Sequence, residues 1–109
     1  YESGHQISSL DMDFVARNLF NQLPTDTFPT TATFALAAAA KINGTLVNEL
    51  YSRSISSTDN VRFGHARGVN EVDIVIRNTS NGPTVERAIF LRTARRIMDG
   101  LVYVRRPLL

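Results

Sequence analysis

Apolar residues recur at helical spacing near the start of the chain, at Met12, Val15, Ala16, Leu19, Phe20 and Leu23. Positions three and four apart share one helix face, so this spacing predicts an amphipathic helix from about Ser9 to Leu23. Ser8 or Ser9 would cap it, Asp11 in its first turn suits the helix dipole, and Pro24 would end it. Residues 1–7 and 24–30 read as loops. A second helix is predicted from about Thr31 to Ile42, with Thr30 as cap and Asn43-Gly44 as stop signal. Between Ala32 and Ala40 its only polar side chain is Thr33. A helix apolar all round must be enclosed by protein. Most of these residues are alanine, so neighbouring backbone can approach closely, as a helix threaded through a curved sheet requires.

The rest of the chain reads as strands. Leu46 to Tyr51 predicts a short strand, and Ser52 to Asn60 a polar loop. Val61-Arg62-Phe63 leads into Gly64-His65-Ala66-Arg67-Gly68. Val72, Ile74 and Ile76 alternate with Asp73 and Arg77, the signature of a half-buried strand. Asn78 to Pro83 is a turn, and Val85, Ile89 and Leu91 carry the next strand to about Ala94. Asp99-Gly100 predicts a tight hairpin, with Leu101 to Val104 as the last strand. The fold class expected is therefore α+β: a buried alanine-rich central helix, a curved and mostly antiparallel sheet, and one additional amphipathic helix.

Composition narrows the function classes. The chain has 109 residues and 12.1 kDa, which suits a single domain or domain fragment over 1–109. The first residue is Tyr1 rather than methionine, and the expectation is a piece of a longer protein. There is no cysteine, which removes disulfides, thiolate metal sites and a cysteine nucleophile from these residues and favours a cytoplasmic setting. The pI of about 9.5 comes from arginine in place of lysine, since the net charge is only +2. Basic residues cluster at Arg92, Arg95, Arg96, Arg105 and Arg106, but a nucleic-acid partner is not expected from so small an excess. The longest apolar run, Phe34 to Ala40, is far short of the roughly twenty residues a bilayer helix needs, so no membrane partner is expected.

Three segments could carry chemistry. Pro29-Thr30-Thr31 enters the apolar helix, where free backbone N–H groups attract anions and threonine hydroxyls add donors. The plainer alternative is a threonine cap ahead of a core helix. Gly64-His65-Ala66-Arg67-Gly68 combines two glycines with a titratable ring and a cation, or is a glycine-rich strand connection with a solvated arginine. Arg92-Thr93-Ala94-Arg95-Arg96 could point one arginine into a cleft, or is surface charge beside a hairpin. The residues singled out for binding are Thr30, Thr31, Gly64, His65, Arg67, Gly68 and Arg92. No catalytic set, metal spacing or phosphate loop is present, His5 reads as solvated near the end of the chain, and neither a cofactor nor a metal is expected.

The order of these segments resembles the carboxy-terminal part of the PrpF-like family. The match runs through the alanine-rich helix, Asn43-Gly44-Thr45-Leu46-Val47-Asn48, Gly64-His65-Ala66-Arg67-Gly68-Val69 and the closing stretch Arg92 to Val104. That family includes methylaconitate cis–trans isomerase and related isomerases of small di- and tricarboxylates. The resemblance implies a diaminopimelate epimerase-like fold, with two similar domains and an active site between them. It implies that the starts of the central helices hold substrate carboxylates, which gives Thr30 and Thr31 a role. It places the proton-transfer lysine and cysteine in an amino-terminal domain, so no catalytic residue is expected here, and Lys41 lies at the wrong end of the helix. Where the family reads glycine-histidine-proline-serine-glycine, this chain has Ala66 and Arg67, losing a hydroxyl and gaining a cation. The implied partners are a small carboxylate substrate and either an amino-terminal domain or a second copy of the chain. The alternative is an inactive remnant that self-associates or binds a small anion.

Overall fold

The computed structural model describes residue 4, residues 6–52 and residues 60–105. His5, Arg106 and the interior of the 52–60 loop lie outside the described residues.

The second predicted helix is present as α1, Thr30–Lys41. Alanine and leucine are strong helix formers, and the chain leaves the helix through Gly44, whose φ of 85° suits glycine. Three strands then form as the alternation predicts. Numbered with the elements that precede them, they are β4 (Asn60–His65), β5 (Gly68–Thr79) and β6 (Gly82–Phe90). β4 pairs antiparallel with β5 through the two-residue turn Ala66–Arg67, and β5 pairs antiparallel with β6. The core sits between α1 and the β4–β5 pair. Thr33, Ala37 and Ala40 line one helix face at a spacing of four and three, and are buried. They meet Val61, Phe63, Val72 and Ile74, the alternate positions of the two strands. Phe28 and Phe14 close on Phe63 with ring centroids at 4.9 and 5.9 Å, and Phe34 meets Phe90 at 6.3 Å.

The predicted first helix does not form. In its place are three short strands: β1 (Phe14–Val15), β2 (Asn18–Phe20) and β3 (Leu23–Thr25). The physical reason is Asp13. Its side chain is fully buried; Oδ2 accepts from Arg62 N at 2.7 Å, while Oδ1 meets the Arg62 guanidinium at 3.1 Å. Backbone bonds from Asp13 N to Arg62 O (2.8 Å) and from Ala16 N to Gly64 O (2.9 Å) hold this segment extended and parallel to β4. Phe14 and Ala16 therefore pack inward and Val15 outward, with a period of two instead of a helical stripe. β2 and β3 pair across Asn21 and Gln22, both at positive φ (50° and 64°). That is the geometry of a two-residue hairpin, disguised because glutamine replaces the usual glycine.

The predicted strand Leu46 to Tyr51 is also corrected, to helix α2, Leu46–Tyr51. Thr45 caps it by accepting from Asn48 N at 3.0 Å. The same hydroxyl donates to the carbonyls of Ala39 and of Ile42, just past the end of α1, and the Asn48 amide donates to that of Ala40. α2 thus seals the end of α1, using groups that read as polar positions of a strand.

Two further expectations fail. α1 is not enclosed on all sides: Thr31 and Ala35 are exposed, and the sheet, in the order β1-β4-β5-β6, covers one face. The strand predicted to reach Ala94 stops at Phe90, and Leu101 to Val104 form no strand. Leu101 and Tyr103 are 89% and 95% exposed. A strand requires a paired backbone, and none of the described residues pairs with this segment. Among the described residues no helix is long and apolar enough to cross a membrane.

Candidate functional site

Three parts of the chain converge at one end of the sheet: the start of α1, the Ala66–Arg67 turn and the loop carrying Asp26 and Phe28. The α1 start differs from the expectation. Pro29, not Thr30, occupies the cap position, no side chain caps the helix, and its first turn carries no acidic residue. Thr30 is the first helical residue and is half-buried, while Thr31 is exposed. The backbone N–H groups of the first turn are therefore left to an outside acceptor, at the positive end of the helix dipole.

Gly64 and His65 end β4, and Gly68 opens β5 opposite His65. Gly64 is buried, and a Cβ placed on it would lie 2.5 Å from Met12 Sδ, so the residue is there for packing against the amino-terminal segment. His65 lies inside a hydrogen-bonded chain. Arg67 N donates to its Nδ1 at 3.2 Å, its Nε2 meets Asn70 Oδ1 at 3.2 Å, Asn70 Nδ2 donates to Thr33 Oγ1 at 3.2 Å, and Thr33 donates to Pro29 O at 3.0 Å. The turn is thus tied to the first turn of α1. Arg67 lies 3.8 Å from Asp26, both side chains being more than half exposed. An ion pair so exposed is weak and can yield to a stronger anion.

Six of the seven residues singled out from the sequence thus come from this end of the molecule. The seventh, Arg92, does not join them. The antiparallel register brings β6 back toward the Gly68 end of β5, but Arg92 follows Phe90 in the exposed segment. Thr33, Asn70 and Asp26 were not singled out. The first two had a readable signal: each is a polar residue on a core-facing position, Thr33 within the apolar helix and Asn70 in phase with Val72 and Ile74. A shallow concavity of about 450 Å³ opens beside Asn70 and Phe90, but Glu71 and Asp73 line it, which disfavours an anion.

The PrpF protein family model matches residues 1–105. The 3-methylitaconate isomerase of Eubacterium barkeri is 41% identical over 104 residues, covering 95% of this chain and 26% of that protein. A 2-methyl-aconitate isomerase of Shewanella oneidensis is 34% identical, covering 96% and 26%. One from Cupriavidus necator is 33% identical, covering 94% and 25%. The chain therefore spans about a quarter of the length of the curated relatives it matches. A crystal structure of methylitaconate-delta-isomerase superposes with a TM-score of 0.73 at 40% identity, covering 92% of this chain and 24% of that one. The mixed sheet and two helices match that fold. With a family model matching nearly its whole length, the chain belongs to the PrpF family.

Proposed function

We propose that this chain supplies a carboxylate-binding part of a PrpF-type isomerase of small di- or tricarboxylates, within a diaminopimelate epimerase-like fold. The observation that carries it is the uncapped start of α1, held beside the Arg67 turn by the His65–Asn70–Thr33 chain. In a reaction that removes a proton next to a carboxylate, negative charge builds up on that carboxylate. Fixed N–H dipoles and a guanidinium aimed at it lower the barrier. The base belongs elsewhere in this reading. Both ring nitrogens of His65 are engaged, and Lys41 bonds Tyr51 at the far end of α1. Eleven helical steps put Lys41 about 16 Å from Thr30 along the axis. The names of the relatives, isomerases of methylitaconate and methylaconitate, support this substrate class. A cytoplasmic setting is part of the reading and rests on the absence of cysteine.

Calorimetric titration with tricarballylate tests it. Binding should weaken about tenfold in Arg67→Ala, the loss expected for one charged hydrogen bond. Equal binding by Arg67→Ala and the unaltered chain would remove Arg67 from the site.

A second reading, an inactive remnant that pairs with another copy, is favoured by a different observation. Leu19, Phe20 and Leu23 on the β2–β3 hairpin are each at least 66% exposed, as are Leu91, Ile97 and Met98 beyond β6. Apolar surface of that extent is normally covered.

A further inference from the structure

We propose that Thr33 and Asn70 are positioning residues that lock His65 in its Nε2–H tautomer and so clamp the Ala66–Arg67 turn to the first turn of α1. Its functional consequence rests on the carboxylate reading above; the tautomer does not.

The polarity of the chain is fixed from the helix end. At the helix end, Pro29 O can only accept, so the Thr33 hydroxyl spends its one proton there, at 3.0 Å. Thr33 Oγ1 must then accept from Asn70, at 3.2 Å, which makes the facing Asn70 atom Nδ2. Asn70 Oδ1 is thereby turned to His65 Nε2, which must carry the proton. At the turn end, Nδ1 has a donor at 3.2 Å, the Arg67 N–H, and an acceptor at 3.4 Å, the Asp26 carbonyl, so the turn accommodates either tautomer and the choice is made at the helix end. With Nε2 protonated from the helix end, Nδ1 is bare and takes the Arg67 N–H. Protonation would set an Nδ1–H against the Arg67 N–H, donor to donor. The Asp26 carbonyl, 3.4 Å from Nδ1, is the acceptor then within reach, and the charged groups at the turn are the Asp26 carboxylate and the Arg67 guanidinium. The clamp is therefore a property of the neutral ring.

Thr33 is fully buried and cannot touch a ligand, so any effect of changing it reaches the site through its bonded neighbours, Asn70 with His65 on one side and Pro29 on the other. Its hydroxyl sits among apolar core residues, where a polar group without partners is costly. What the clamp fixes is the distance between two sets of donors, the first-turn N–H groups of α1 and the Arg67 turn. Binding by such donors gains from their being held in place beforehand.

The test uses the protein as its gene encodes it. Nitrogen NMR of the His65 ring, assigned by its loss in His65→Gln, reads the tautomer, and tricarballylate titration reads the consequence. A bare Nδ1 and protonated Nε2 are expected in the unaltered protein and in Thr33→Ser, which keeps the hydroxyl. Thr33→Val and Asn70→Leu should show mixed or reversed tautomers and bind tricarballylate about five- to tenfold more weakly, the worth of one hydrogen bond. Asn70→Asp keeps the acceptor for Nε2–H and loses the donor to Thr33, so it should retain the tautomer and still bind more weakly. An Nδ1–H ring in the unaltered protein overturns the proposal, as does a ring unchanged in both Thr33→Val and Asn70→Leu. A ring that behaves as stated in a protein that does not bind tricarballylate supports the clamp and defeats the carboxylate reading.

Discussion

Asp13 and Arg62 show how two side chains can decide the course of a whole segment. The carboxylate is fully buried and the arginine side chain 29% exposed, so the two partners are not equivalent. Arg62→Met would leave a buried charge facing only backbone donors, and should cost about 3 kcal/mol in urea unfolding. Asp13→Asn keeps an acceptor for Arg62 N–H, and should cost about 1 kcal/mol. Equal losses would mean that the pair is not what holds the segment down. Gly64 makes a second residue-scale case. Gly64→Ala drives a methyl group into Met12 Sδ, and should cost about 1–3 kcal/mol, the range for overpacking. Because the obstacle is a flexible side chain, Met12→Ala in the same protein should recover part of that loss. A double-mutant cycle without coupling between the two would place the strain elsewhere.

At the scale of elements, α2 depends on its cap more than on its length. Six residues are too few for a helix to persist by itself, and Val47 and Tyr51 are the residues of α2 packed against the apolar core. Thr45→Ala removes the cap and a bond to the end of α1, and should cost about 1–2 kcal/mol, with earlier hydrogen exchange in residues 46–51 than in β5. Simultaneous exchange of both would show α2 to be part of the central unit. The elements that were legible in the sequence, α1, β4, β5 and the start of β6, are those whose own side chains decide their state. An uninterrupted alanine-rich run, strict alternation and a glycine turn need no distant help. The illegible ones are decided from outside. The stretch 9–23 has helical spacing, but Asp13 is claimed by Arg62, 49 residues away, and Val15, Leu19 and Leu23 are left exposed. Residues 46–51 are too few to declare a period, and Thr45 and Asn48 are claimed by the end of α1. At the candidate site, the glycine-histidine turn and the helix start were legible as motifs. The link between them was not, because Thr33 and Asn70 are 37 residues apart and speak only through the fold.

At the scale of the molecule, the chain is more open than its length requires. Its accessible surface is 9077 Å², where a compact protein of this mass exposes roughly 6,000 Å². Its radius of gyration is 18.3 Å against about 13 Å for a compact chain of this length. Much of the exposed apolar surface lies in the β2–β3 hairpin and on the apolar residues of 91–105. One side of α1 is uncovered as well. In the proposed reading, these surfaces meet the rest of a protein about four times as long. Isolated, these 109 residues should self-associate as concentration rises in sedimentation equilibrium, through the open edge of β6 and these apolar stretches. A monomer over the whole range would contradict that. The proposed carboxylate site is tested most directly by backbone amide NMR of the chain during titration with tricarballylate. The largest shifts should fall on Thr30, Thr31, Arg67 and Gly68 together. Saturating ligand that leaves these amides unmoved, or moves those near Lys41 or beside Glu71 and Asp73 instead, would contradict it.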